Sequence, residues 1–247
     1  TISDIFSRAM QLYRENFLKL TTIVAPGAVA GLAFFYLIVG ARYEDIRSPE
    51  RLQEPEVFGA MLLYAVISLF LSSIVTAAGT IVISERFLNR EMPIGQAYLR
   101  VLDSLFPLVG ALICFAIAVF IGFMLFFIPG IIAYVWFCLT APVVMIEGEG
   151  GLGALKRSRV IVKDHFWKTF LVVALLAMIQ ILVTVTLPNL IGSLSNVYIL
   201  VSLFSNSLSL LIEPFKIAAT TMLYYDLRSR KEGYDLHVMA EELSDSP

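Results

Sequence analysis

Six polar side chains recur at alternating steps of four and three through one otherwise apolar stretch: Ser202, Asn206, Ser209, Glu213, Lys216 and Thr220. That spacing puts all six on one face of a helix. Polar groups in lipid need partners, so the seam is expected to face a bundle interior or a wet cavity. Its chemistry would be either interhelical hydrogen bonding that fixes packing or a path for a solute or ion. Glu213 and Lys216, three apart, are placed to form an ion pair, and Pro214 frees a backbone carbonyl one turn earlier.

A second group is basic. Lys156, Arg157, Arg159 and Lys163 follow the glycine-rich run Gly148 to Gly153 and share a helix with Leu155, Val162 and Phe166. A phosphate cradle would need GxxxxGK followed by Ser or Thr behind a strand, and neither is present. The expected reading is a flexible hinge leading into a helix that contacts anionic headgroups.

The remaining reactive types are sparse. Cys114 and Cys138 lie inside apolar runs, where free cysteine behaves as a small hydrophobe. His165 and His237 lack a second ligand at metal-binding spacing. Nucleophilic catalysis needs a base beside the nucleophile, and no Gly-x-Ser-x-Gly elbow occurs. All the aspartates fall outside the centres of the apolar runs, which speaks against paired-aspartate proteolysis within the membrane. No catalytic site, cofactor, metal or nucleic-acid partner is expected.

The elements that must position these residues follow from composition. Of 247 residues, 58% are hydrophobic and only 15% charged, with a mean hydropathy of +0.82. Soluble domains carry about a quarter charged residues, so lipid is the expected solvent. About 20 apolar residues span a ~30 Å hydrocarbon core. Six stretches qualify: Leu20 to Ala41, Val57 to Ser84, Leu105 to Phe127, Ile131 to Ile146, Phe166 to Leu187 and Val197 to Tyr225. Phe127-Ile128-Pro129-Gly130-Ile131 reads as a tight turn, and Pro188 to Asn196 as a second uncharged link. Two small or hydroxyl-bearing seams, Gly110/Cys114/Ala118/Gly122 and Ser68/Ser72/Thr76/Thr80, are expected packing surfaces.

Charge orients the chain. One side collects Arg8, Arg14, Lys19, Arg86, Arg90, Arg100, the four bases above, Lys168, Arg228, Arg230 and Lys231. The other holds Arg42, Arg47 and Arg51 among five acids. The positive-inside rule then places both termini in the cytoplasm. Thr1 to Lys19 alternates charged and apolar residues at a helical period and is not expected to be a cleavable signal. The expected fold is an all-α integral membrane protein. Its six transmembrane helices form three hairpins, each preceded by an amphipathic interfacial helix on the cytoplasmic side. The units run over 1–86, 92–147 and 150–230 of one domain, followed by a polar tail, 231–247. The expected register between units aligns Phe17, Phe106 and Phe166.

Two segments carry a resemblance. Ala141-Pro142-Val143-Val144-Met145-Ile146-Glu147-Gly148 is followed by Ala154-Leu155-Lys156-Arg157-Ser158 and His165-Phe166-Trp167. Near the end stand Glu213-Pro214-Phe215, Leu223-Tyr224-Tyr225-Asp226-Leu227-Arg228 and Arg230-Lys231-Glu232-Gly233-Tyr234-Asp235-Leu236. Together they resemble the bacterial glycerophosphoryl diester phosphodiesterase membrane domain and the YciC-like membrane proteins. The resemblance implies a six-helix module of the bacterial inner membrane, and it carries no catalytic residue over to this chain. Three functions are therefore expected in turn: a non-catalytic module organising lipid or a membrane complex, a small permease using the polar seam, and a lipid-modifying enzyme. The expected partners are membrane lipids with anionic headgroups, and a second copy or a larger membrane complex.

Overall fold

Three residues, Asn16, Ser104 and His165, interrupt otherwise continuous helix with nearly the same backbone geometry. Their φ/ψ values are −119°/20°, −100°/15° and −127°/31°. The computed structural model describes residues 2–37, 55–187, 190 and 198–233, except for the side chains of 198–206. Before the breaks lie three short amphipathic helices, α1 (Ile2–Glu15), α4 (Ile94–Asp103) and α7 (Gly151–Lys163). After them begin the apolar helices α2 (Phe17–Phe35), α5 (Leu105–Leu125) and α8 (Phe166–Ile181). The break does not cost the chain its hydrogen bonds. The amides of Leu20, Leu108 and Thr169 donate to the carbonyls of Asn16, Ser104 and His165.

Counted from these breaks, burial repeats. Seven residues before each lie Ala9, Ala97 and Ser158, and seven after lie Ile23, Ala111 and Val172, all fully buried. Two after each break stand Leu18, Phe106 and Trp167, which are 78%, 89% and 72% exposed. One before each is an acid, Glu15, Asp103 or Asp164. The expected register is therefore corrected by one position in the second unit, where Leu105 and not Phe106 matches Phe17 and Phe166. Aromatic identity suggested the wrong match, and the backbone break decides it.

The other long elements are α3 (Pro55–Phe87), α6 (Phe127–Phe137) and α9 (Tyr198–Glu232). α6 continues through Thr140–Pro142 into a π-helical turn at Val143–Glu147, and α8 continues into another at Leu182–Thr186. Among the described residues five helical stretches are long and apolar enough to cross a membrane: Phe17–Phe35, Pro55–Phe87, Leu105–Leu125, Phe127–Glu147 and Phe166–Thr186. The described residues are thus all-helical, with several apolar stretches compatible with a multi-pass membrane protein. The tight turn expected at Phe127–Ile131 is a single extended residue, Phe126, with φ/ψ of −168°/158°. Pro129 and Gly130 instead lie in the first turns of α6, where proline costs little because early amides have no intrahelical acceptor. A Cβ on Gly122 would stand 2.9 Å from the Gly130 Cα, so the small-residue seam of α5 ends in direct backbone contact with α6.

Packing closes a ring. α4 lies on α3, and α7 lies on α5 and on the α6 stretch before it. α1 lies on α9. Phe6 and Tyr13 of α1 both pack on Phe215, and the Tyr13 hydroxyl donates to the Leu211 carbonyl at 3.1 Å. α9 also touches α2, α3, α7 and α8, which makes it the hub of the bundle. Its buried face, with Ala218, Ala219, Met222 and Leu223, shares one core with Ala77, Ala78 and Ile81 of α3, and Ile217 packs with Val24 and Val75 in a second, smaller one.

Candidate functional site

The charged residues that the chain scatters across its length converge where the amphipathic helices sit. The π-helical turn ends α6 at Glu147, and Gly148 then takes φ +75°, a left-handed value that favours glycine. The expected flexible hinge is instead a seated loop, because a Cβ on Gly150 would lie 2.9 Å from the Pro107 Cα of α5. This loop points the α7 residue Arg157 back at the helix just left. Its Nε donates to Glu147 Oε2 at 2.6 Å, and its Nη2 donates to Glu232 at the end of α9. From α9, Arg228 donates to Glu232 at 2.9 Å and to the Tyr224 hydroxyl at 3.0 Å, and Tyr224 donates to Glu147 Oε1 at 2.6 Å. Two guanidinium groups and two carboxylates therefore balance, with the tyrosine bridging them.

Burial of this cluster is partial, and the ionic partners outweigh it. Desolvation alone would lower the Arg157 guanidinium, but Glu147 and Glu232 raise it above its ordinary value. Desolvation alone would raise Glu232, yet its hydrogen bonds from Arg157 and Arg228 hold it below the usual carboxylate range. Beside the cluster, Asp226 accepts from Lys168 at 2.5 Å and from Arg230 at 3.0 Å, and these bonds override burial to lower it. Lys231 pairs with Asp164 and lowers it too. Further ties are Arg100 to Glu85 at 3.0 Å and the 2.5 Å hydrogen bond between Ser84 and Tyr225.

The four bases of α7, expected together at anionic headgroups, do not share one face. Consecutive helical residues point ~100° apart, so Arg157 turns into the bundle while Lys156 stays exposed. Lys163 and Arg159 are exposed as well, the latter with its guanidinium 4.3 Å from the Trp136 ring centroid.

Of the polar seam, Ser209, Glu213, Lys216 and Thr220 are half-buried on α9, and the side chains of Ser202 and Asn206 lie outside the described residues. Lys216 Nζ stands 2.7 Å from Glu213, forming the pair that the spacing of three predicts. Thr220 donates to the Lys216 carbonyl at 2.9 Å. Sequence reasoning missed the roles of Glu147, Tyr224, Arg228 and Glu232. They belong to the two segments that carry the family resemblance, and charged residues closing two apolar stretches were the available signal. Comparison with family models, with curated proteins and with solved structures finds no match.

Proposed function

We propose that the chain is a six-span, non-catalytic module of the bacterial inner membrane that gathers anionic lipid on its cytoplasmic face, with both termini on that side. The observation that carries this reading is the outer face of α7. Leu152, Lys156, Arg159, Val160 and Lys163, continued by Trp167 beyond the break, form one exposed stripe of alternating apolar and basic side chains. Such a face suits the headgroup boundary of an anionic leaflet. The bases around it that could serve chemistry, Arg157 and Arg228, are committed to carboxylates.

Three hairpins and the sixth span belong to the same reading. At ~1.5 Å per residue α9 is longer than a ~30 Å hydrocarbon core requires, so its charged last turns reach beyond it. The exposed Leu18, Phe106 and Trp167, two residues past each break, then mark one interfacial level around the bundle. The resemblance of residues 141–236 to a bacterial membrane-domain family points the same way, although Tyr234, Asp235 and Leu236 lie outside the described residues. The test is lipid analysis of the full chain extracted in native nanodiscs. Enrichment of phosphatidylglycerol that falls with salt and is lost on Lys156→Gln/Arg159→Gln/Lys163→Gln supports the reading. Equal enrichment in that variant overturns it. The partly exposed Glu213–Lys216 pair favours the permease as a second reading, which solute flux into proteoliposomes would establish.

A further inference from the structure

We propose a phosphoryl-binding pocket at the joint between α1 and α9, occupied by the headgroup of one anionic phospholipid. The argument starts from the ring. Arg157 lies eight residues before the break at His165, and it closes the joint between α7 and the preceding α6 stretch by pairing with Glu147. Arg8 lies eight residues before the break at Asn16 and holds the matching position at the joint between α1 and α9. There the matching carboxylate, Asp226, is already held by Lys168 and Arg230. Among the described residues no carboxylate pairs with Arg8.

What stands in place of an ion pair is a cavity of about 170 Å³. Arg8 and Arg230 supply donors to it, Asp4 and Asp226 also line it, and Ser229 lines it with its hydroxyl donating to the Asp226 carbonyl. Two bases and two acids line it, and Lys168, from outside the lining, also neutralises Asp226, so the surplus charge is positive and suits an anion. Two guanidinium groups match the oxygens of a phosphate ester. The volume falls below the ~300 Å³ at which pockets for drug-sized ligands begin, which suits a headgroup. The rest of its wall is Ile5, Phe87, Met222 and Tyr225, whose hydroxyl is taken up by Ser84, and the apolar part suits a ligand that carries acyl chains. The pocket is separate from the α7 stripe, so neither proposal depends on the other.

The experiment uses native mass spectrometry of the purified full chain titrated with phosphatidylglycerol, phosphatidylcholine or inorganic phosphate. One phosphatidylglycerol should bind per chain ahead of weaker ones, and Arg8→Gln should weaken that first binding at least fivefold. Ser229→Trp, which fills the cavity while leaving every charge in place, should do the same, and it serves should Arg8→Gln fold poorly. The α7 triple variant should leave the first binding unchanged. Wild-type binding in both pocket variants, or equal binding of phosphatidylcholine, overturns the site. Release of the bound lipid by millimolar inorganic phosphate overturns the lipid as its occupant.

Discussion

α9 carries two ionic sites that are built in opposite ways. Glu213 and Lys216 are neighbours on one turn and hold each other, tying the helix only to itself. Fifteen residues further along, Arg228 and Glu232 join Glu147 and Arg157, which come from the α6 stretch and from α7. The first site makes a polar stretch tolerable in lipid, since an unpaired charge at a helix centre costs ~2.5–3.5 kcal/mol on insertion scales. The second fixes where three elements stand relative to one another. A local pair can be lost without changing the fold around it, whereas a shared cluster cannot.

The largest effect should come from breaking the shared cluster. Arg157→Met leaves Glu147 and Glu232 with Arg228 as their one base in the cluster and is expected to destabilise the protein by about 2–3 kcal/mol, somewhat below the ~3–5 of a fully buried pair. Thermal unfolding in detergent reads this, and an unchanged midpoint would mean that the cluster does not hold the helices. Glu213→Gln should cost about 1–2 kcal/mol by stranding Lys216 in a partly exposed position. The double change Glu213→Gln/Lys216→Met should recover most of that loss, and single variants as stable as the parent would show that the two residues are independent.

Acid should separate the two sites more gently. Glu232 has its carboxyl lowered in the folded state, so its contribution is fully present above the ordinary glutamate range and fades as pH falls through the lowered value. The unfolding midpoint should therefore drop below about pH 4.5, and Glu232→Gln should flatten that part of the profile. Smallest of all, Lys156→Gln and Lys163→Gln on the exposed face should change stability by no more than about 0.5 kcal/mol. A larger loss would mean that α7 uses these bases to pack. Topology checks the frame of the whole comparison: single cysteines at positions 47 and 230, without Cys114 and Cys138, should label outside and inside respectively with an impermeant thiol reagent. Arg47 itself lies outside the described residues.

Much of this architecture follows from local pattern. The apolar lengths, the 3.6-residue period of α1, α4 and α7, and the Glu213–Lys216 pair each depend on residues a few positions apart, and the sequence by itself determined them. The breaks at Asn16, Ser104 and His165 were nearly legible too, because an acid precedes each, but the aromatic Phe106 drew the second unit out of register. Tertiary structure alone decided that Arg157 faces inward while Lys156 does not, and that Arg8, its counterpart in position, meets a cavity instead of a carboxylate. The physical reason is distance along the chain. Glu147 and Glu232 stand on either side of Arg157 in different helices, and only the closure of the ring, with α1 laid against α9, determines which charges find a partner.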